Sequence, residues 1–277
     1  MLYEVDKDLY NRVQPVFERL SRTAIAGTLA GWTPGQVFVN EPHVPQAGFK
    51  PQAAFTWGEH RFSYLAGNPM DEDFVQGLVV LLEGELLPKL PGSHDPTLVI
   101  YPDSPAWIDA LEARLAAYRP LRLFRSLHRF DPMAFEQCTR ELEALPPEYT
   151  LLPVDAQVCG RFPELAFAYE LLWGGVQNFL AHGFGCCVLA DGELASACDT
   201  PFCAGGRAEI GVETKEAYHR KGLARQACTA FIRECLRRGL EPVWECWREN
   251  EASLSLAKRL GFEWLEDYPV LFIEMEG

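Results

Sequence analysis

At 277 residues, the chain is long enough for two domains of ordinary size. Hydrophobic residues make up 48% and charged residues 23%, which excludes a disordered or fibrous protein. The formal net charge of −14 disfavours general binding to nucleic acid or to an anionic membrane, because it would repel their phosphates, and it favours a cationic partner such as an amine.

The chain ends and the cysteines suggest a cytoplasmic protein. Residues 1–10 lack the basic and apolar layout of a signal peptide, and no apolar run reaches the roughly 18 residues that span a bilayer. Nine cysteines, all from Cys138 onward, form neither a CxxC pair nor a Cys/His group at zinc spacing. We therefore expect free buried thiols in a reducing compartment, no membrane partner and no metal.

The first half reads as an α/β layer pattern without evident chemistry. Helical periodicity begins at Tyr10, and Asp131 is placed to cap a later helix. Apolar spacing predicts strands and helices, in chain order, at Gln36–Asn40, Gln52–Trp57, Arg61–Ala66, Phe74–Leu87 (helix), Thr97–Tyr101, Ala106–Tyr118 (helix) and Leu121–Phe130.

Pro146 and Pro147 break a helical pattern, which predicts a junction between domains 1–145 and 146–277. Beyond it, an aromatic-rich helical region is followed by a hairpin that turns at Asp191-Gly192, a dipeptide typical of type I′ turns. A strand at Ala208–Thr214 comes next. Both halves run from a β-meander into a helix, a strand and a helix, which suggests that the first domain is a diverged relative of the second.

The best candidate for a binding site lies where this strand leads through a basic turn into an amphipathic helix that ends at Gly239. A helix N-terminus presents unpaired N–H groups at its positive end, which suits a diphosphate. Gly222 would let the backbone approach phosphates closely, while Arg220, Lys221 and Arg225 would add charge-assisted hydrogen bonds. The alternative is an ordinary helix start with a solvated basic turn.

The C-terminal run resembles the GNAT superfamily. Residues His219-Arg220-Lys221-Gly222-Leu223-Ala224 are similar to its (Gln/Arg)-x-x-Gly-x-(Gly/Ala) signature, and Asn250-x-x-Ser253, Leu256-Ala257 and Gly261-Phe262 are similar to its second block. Other short sequence segments resemble those of a bacterial subgroup of this superfamily that has an additional N-terminal domain. The resemblance implies an α/β (α+β) fold with a mixed, mostly antiparallel sheet, preceded by a smaller α/β domain.

The resemblance also implies a coenzyme A site. Backbone groups of Val212 and Thr214 would bind the pantetheine arm, and a bulge would splay their strand to open a cleft for the thioester. Asn250 would reach the coenzyme from the far side, assisted by Ser253. The diphosphate would be held by His219, Arg220, Lys221, Gly222, Leu223, Ala224 and Arg225.

Glu209 is nearest to where relatives place a general base, although an outward carboxylate paired with an arginine is an equal alternative. Glu213 and Glu245 are weaker candidates, since alternation points them away from the cleft. Where the family often has a tyrosine as general acid, this chain has Ala257. Tyr268 or a water molecule would have to replace it, or the thiolate would leave unprotonated.

These features together predict an acetyl-CoA-dependent N-acetyltransferase, which transfers the acetyl group to a primary amine of a small molecule or a protein by direct attack in a ternary complex. An alternative is a non-catalytic acyl-CoA-binding sensor. An aminoacyl transferase acting with tRNA is disfavoured by the acidic charge. The identity of the acceptor and the oligomeric state stay open at this point.

Overall fold

The structure, a computed structural model, describes residues 1–20, 22–42, 48–58, 62–91 and 95–275. The chain forms two compact units: unit 1 contains Met1–Phe124 and Pro269–Gly277, and unit 2 contains Arg125–Tyr268. The predicted junction at residue 145 falls inside unit 2, because residues 125–128 pair with strand residues 244–247 far along the chain. The assignment of separate roles to 1–145 and 146–277 stays a prediction.

The strands are β1 (Tyr3–Glu4), β2 (Gln36–Val39), β3 (Ala53–Trp57), β4 (Phe62–Gly67), β5 (Thr97–Pro102), β6 (Leu121–Phe130), β7 (Tyr149–Pro153), β8 (Gly185–Ala190), β9 (Glu193–Asp199), β10 (Cys203–Ala204), β11 (Arg207–Glu209), β12 (Gly211–Thr214), β13 (Glu241–Trp247) and β14 (Phe262–Glu274). The α-helices are α1 (Tyr10–Val13), α2 (Thr23–Leu29), α3 (Glu72–Leu81), α4 (Ala106–Glu112), α5 (Pro132–Thr139), α6 (Ala156–Arg161), α7 (Pro163–Trp173), α8 (Val176–His182), α9 (Leu223–Arg237) and α10 (Glu251–Arg259). A π-helical turn lies at Leu82–Leu86, and 3-10 helices lie at Lys7–Leu9, Gln14–Phe17, Leu87–Lys89, Ala116–Tyr118 and Glu216–Tyr218.

Unit 1 is built on one mixed sheet. Strands β1 to β4 pair antiparallel in chain order, β4 pairs parallel with β5, and residues 271–274 of β14 add an antiparallel strand to β5. Helix α3 begins at Asp71, whose side chain accepts a hydrogen bond from Phe74 N, and it packs Phe74 and Leu78 into the core with Trp107 of α4. The strands agree closely with the predicted ones; Arg61, the first residue of one prediction, lies outside the described residues.

Unit 2 contains two sheets. In one, β7, β8, β9 and β12 are antiparallel; in the other, β13 pairs antiparallel with β6 and parallel with β11. The predicted type I′ turn is confirmed, because Asp191 and Gly192 have φ values of 49° and 85°. In the described ranges, no helix combines the length and apolar character needed to cross a membrane.

The single strand predicted at Ala208–Thr214 is wrong in one respect that matters. The chain forms two strands that join different sheets, since Ile210 N donates to Val243 O while the next residue, Gly211, pairs with Asp199 of β9. β11 therefore runs beside β13, whereas β12 leaves β13 and runs beside β9. β12 and β13 therefore separate at Ile210, and this separation is the splay implied by the family resemblance.

Gly261 closes α10 at a position that only glycine can occupy easily. Its φ is +79°, and a Cβ atom built there would lie 2.4 Å from Phe135 N. We expect Gly261→Ala to lower the free energy of unfolding by about 2–4 kcal/mol, since backbone strain and a backbone clash add.

Gly239→Ala is the matched control, because Gly239 also has a positive φ, +71°, but nothing lies within 4 Å of the position that a Cβ atom would take there. Chemical denaturation should give it a cost of only about 1 kcal/mol. Equal losses in the two variants would contradict the clash at Gly261.

Candidate active site

The turn before α9 is shaped by two residues with left-handed backbone conformations. Arg220 has φ 61° and Gly222 has φ 79°, and Gly222 is the N-cap of α9 without a side chain to cap it. The first N–H groups of this 15-residue helix are therefore open to a ligand. A Cβ atom at Gly222 would meet nothing within 4 Å, so the backbone faces open space here.

This open space is a cavity of about 1070 Å³ within unit 2. The structure brings all of the predicted coenzyme-binding residues together in its wall, namely Val212, Thr214, His219, Arg220, Lys221, Gly222, Leu223, Ala224, Arg225, Asn250 and Ser253. They come from β12, the turn, α9 and the start of α10, which are separate in the sequence. Their individual roles toward the coenzyme stay predictions.

The wall carries a concentration of positive charge in an otherwise acidic protein. Arg220 and Lys221 project from the turn, and Arg259 of α10 joins them although neither sequence motif includes it. Lys221 Nζ lies 5.1 Å from the centre of the Tyr218 ring, a cation–π contact that positions the ammonium group. These groups favour an anionic ligand such as a diphosphate.

Arg225 also makes a contact within the protein that its predicted role did not include. Its Nη2 donates to the carbonyl oxygen of Cys138 at 2.5 Å, and Gln226 Nε2 donates to Glu143 O at 2.6 Å. The Gln226 bond fastens residues 141–146, which form one wall of the cavity, to the first turn of α9, and the Arg225 bond fastens the end of α5 to the same turn. No local sequence signal marks this segment, since only the tertiary contacts place it there.

A smaller cavity of about 190 Å³ continues from the first into the gap between β12 and β13. Val212, Asn250 and Ser253 line both cavities. Its remaining wall, which no sequence motif assigned to a binding site, consists of Arg125, Ile210, Trp244, Glu245, Cys246 and Trp247.

The backbone of β12 points into this gap. Lys215 N donates to Ala195 O of β9. Because hydrogen-bonding directions alternate along an antiparallel strand, residues 211 and 213 also face β9, while the N–H groups of Val212 and Thr214 face away from it. β12 is the edge of its sheet, so these donors are open toward the gap, as the resemblance implied.

The far wall is organised by Asn250 and Ser253. Asn250 Oδ1 caps α10 by accepting from Ser253 N at 3.0 Å, which leaves its amide nitrogen for a ligand. Ser253 Oγ accepts from the Trp244 indole at 3.1 Å. Burial raises the pKa of the adjacent Cys246, which disfavours its thiolate and hence a covalent acyl-cysteine intermediate.

Among the candidate general bases, Glu245 does not lie where the alternation of side chains along a strand predicted. Glu245, a weaker candidate in the sequence, lines the gap and pairs with Arg125 at 3.3 Å, with side chains 7% and 11% exposed. Glu209 lies in the wall of neither cavity. Its role as general base stays a prediction. Ala257 is fully buried and Tyr268 lies in the wall of neither cavity, and the replacement of the family tyrosine by Tyr268 stays a prediction.

A family model described as GNAT acetyltransferase matches residues 14–271. The chain belongs to the GNAT acetyltransferase family. It is a GNAT-type N-acetyltransferase, and the recognition made from the signature is confirmed. A curated relative, the uncharacterized N-acetyltransferase YdfB of Bacillus subtilis (strain 168), is 24% identical over 274 residues that cover 98% of each protein.

Solved GNAT structures agree with the fold over the whole chain. A GCN5-related N-acetyltransferase-like protein from Streptococcus suis 89/1591 is 25% identical, with a TM-score of 0.72 over 97% of this chain and 99% of that one. A tandem GNAT protein from the clavulanic acid biosynthesis pathway has a TM-score of 0.58 and 14% identity over 99% and 98%. The predicted fold class is confirmed, and the tandem relative agrees with the idea of two domains.

One further ionisable pair of this acetyltransferase lies at the end of β9. Tyr169 of α7 donates its hydroxyl proton to Asp199 Oδ2 at 2.7 Å. The Tyr169 ring is held by stacking on Phe179, with ring centroids 3.6 Å apart. Burial, and then the charge of Glu213, raises the pKa of Asp199 to about 6, against an opposing effect of the Tyr169 hydrogen bond.

The raised pKa of Asp199 makes this acetyltransferase less stable as pH rises. The folded state prefers the protonated carboxyl, so the stability it contributes is present below pH 4 and is lost as pH rises through about 6. We expect Asp199→Asn to raise the free energy of unfolding at pH 8 by about 1–3 kcal/mol, and by much less at pH 4.

The measurement is thermal unfolding at both pH values, with Asp191→Asn as the control. Asp191 is an exposed carboxylate at the turn of the same hairpin. If Asp199→Asn raised the stability equally at both pH values, or lowered it at pH 8, the ionised Asp199 carboxylate would not be what destabilises the folded protein.

Proposed function

We propose that the chain transfers an acetyl group from acetyl-CoA to a primary amine by direct attack in a ternary complex. The observation that carries this proposal is the convergence of the signature residues on one cavity, which continues into the gap between β12 and β13. A coenzyme whose diphosphate binds at the start of α9 would extend its pantetheine arm along β12 into that gap.

Each part of the coenzyme would meet matching chemistry. The diphosphate would accept hydrogen bonds from the N–H groups around Gly222, and Arg220 and Lys221 would offset its charge. The amides of the pantetheine arm would pair with the Val212 carbonyl oxygen and the Thr214 N–H on the open edge of β12, while the Thr214 carbonyl oxygen is bonded to His219 Nε2 at 2.8 Å. The Asn250 amide nitrogen would donate from the opposite wall.

The thioester would lie in the smaller cavity. Ile210 and Trp244 offer apolar contacts to a short acyl group, which supports acetyl as the donor group. As the amine attacks, negative charge develops on the carbonyl oxygen, and the Val212 N–H is oriented to stabilise it. Since a thiol has a pKa of about 8.5, CoA can depart as a thiolate and take up a proton from the attacking nitrogen.

The acceptor is proposed as an amine of a small molecule or a protein. The net charge of −14 favours attraction of a cationic acceptor over a nucleic acid. The family alone does not specify the acceptor, because acceptor sites vary on one fold.

We expect Gly222→Glu to weaken acetyl-CoA binding by at least about 30-fold, since it places a carboxylate against the diphosphate. Calorimetric titration of the parent protein and this variant measures the change. Gly239→Glu is the matched control: it makes the same substitution at a positive φ, +71°, in open space at the other end of α9, and it should bind normally.

Failure of the parent protein to bind acetyl-CoA would overturn the proposed donor. Equal affinities in the parent and Gly222→Glu would remove the diphosphate from the start of α9. Binding without acetylation of any amine would return the non-catalytic sensor as the better account of this chain.

A further inference from the structure

Asp199 occupies an unusual position relative to the gap between β12 and β13. It pairs across the sheet with Gly211, the residue that follows the separation point at Ile210. A Cβ atom at Gly211 would lie 3.3 Å from Asp199 Oδ1, so this oxygen lies over a residue without a side chain. Gly185 flanks Asp199 on the other strand, where a Cβ atom would lie 2.6 Å from the Asp199 Cβ. Glycine on both sides leaves room for the carboxyl group.

The carboxyl group faces away from the coenzyme side of the sheet. The neighbouring Cys198 interacts with Cys228 of α9, and side chains alternate along a strand. Asp199 therefore points to the opposite face, where Tyr169 of α7 reaches it. Asp199 lies in the wall of neither cavity, but it borders Gly211, which stands between Ile210 and Val212 of the smaller cavity. Since α9 and α10 supply much of the coenzyme cavity, an acceptor that arrives at the same carbonyl carbon from the other face would approach Asp199 beside Gly211.

One oxygen of this carboxyl group is engaged and the other is available. Oδ2 accepts the hydrogen bond from Tyr169. Among the described residues no further hydrogen bond or ion pair reaches the Asp199 carboxyl group, and the residue is partly exposed. The arrangement is a carboxylate fixed by one aromatic hydroxyl, with its second oxygen directed toward the strand that borders the gap.

We propose that Asp199 binds the ammonium group of the acceptor and acts as its general base, with Tyr169 as the residue that positions it. This inference rests on the proposed function. Glu245 is less suited, because Arg125 already engages its carboxylate. Glu209 remains the competing carboxylate for the same task.

The proton balance of the step is complete. The acceptor ammonium transfers one proton to Asp199 Oδ1, and the neutral amine attacks the thioester carbon to form the C–N bond. The C–S bond then breaks, and the CoA thiolate takes the second nitrogen proton. Asp199 finally releases its proton to water. The net reaction converts the ammonium form of the acceptor and acetyl-CoA to the amide, CoA and one released proton.

The surroundings of Asp199 suit this task. Its neighbours are Tyr169 from α7, Cys159 from α6, Cys186 from β8 and Glu213 from β12. Burial raises the pKa values of both thiols, so they stay neutral. A carboxyl with a pKa of about 6 is ionised at pH 7.5 yet is about a hundredfold more basic than an ordinary aspartate.

The test compares the full-length parent protein with Asp199→Asn, Tyr169→Phe, Glu209→Gln and the control Asp191→Asn. Acetyl-CoA is the donor, and tyramine, spermidine and a short lysine peptide are the acceptors. Calorimetry gives the acetyl-CoA affinity, chromatography of the acetylated amine gives kcat and KM from pH 5 to 9.5, and thermal unfolding confirms that each variant is folded.

For Asp199→Asn we expect acetyl-CoA affinity within about twofold of the parent and kcat lower by about 100-fold or more. Tyr169→Phe removes the hydrogen bond that lowers the pKa of Asp199, so the acidic limb of kcat/KM should move to higher pH. A merely structural role for Tyr169 would lower activity without moving that limb.

Retention of kcat and of the acidic limb in folded Asp199→Asn would overturn the proposal, as would their loss in Glu209→Gln alone. If the parent acetylates at least one amine, such a result leaves the proposed function intact. If the parent binds acetyl-CoA but acetylates none of the three, the acetyltransferase proposal fails and the role of Asp199 fails with it.

Discussion

The change of pairing partner at Ile210 is the constraint on which the site depends. A strand has two edges, and β12 uses one of them to pair with β9. Because Ile210 bonds Val243 and the next residue does not continue along β13, the other edge of β12 stays without a strand. Backbone N–H groups that lose a partner in this way need another one. A ligand with amides along its length can supply it, which is why we propose the split between the sheets as the site of the pantetheine arm.

The charged side chains differ between the coenzyme cavity and the opposite face of the sheet. The protein is acidic overall, yet Arg220, Lys221 and Arg259 gather at the coenzyme cavity. On the opposite face, Asp199 keeps a carboxyl group in surroundings that disfavour its ionised form. Such a group lowers stability at neutral pH, and sites with this cost are common where chemistry requires a shifted pKa. In the proposed reaction, one face would hold the anionic coenzyme and the opposite face the cationic acceptor.

Several single hydrogen bonds, each with a small contribution to stability, position the walls of the site. Asn250 caps α10, and Ser253 accepts a hydrogen bond from the Trp244 indole. Gln226 holds residues 141–146 against α9, and Arg225 holds the end of α5 there. Asn250 and Ser253 belong to the second block that resembles the family, whereas Trp244, Gln226 and residues 141–146 belong to neither motif. These hydrogen bonds hold the walls of the cavity at a fixed separation, so that a long ligand can be bound without first ordering several loops.

The sequence by itself determined the Asp191-Gly192 turn, and through the family resemblance it predicted the mostly antiparallel sheet and the residues that line the large cavity, whose roles toward the coenzyme stay predictions. The hairpin turn and the start of α9 follow from local rules, since a helix start, a glycine with positive φ and a hairpin turn depend on neighbours in the chain. Only the tertiary structure decided that Ala208–Thr214 is two strands, that Glu245 lines the gap, and that Asp199 meets Tyr169 thirty residues away. Local periodicity cannot show which strand edge or which helix a residue will meet, because such partners are selected by packing between distant segments.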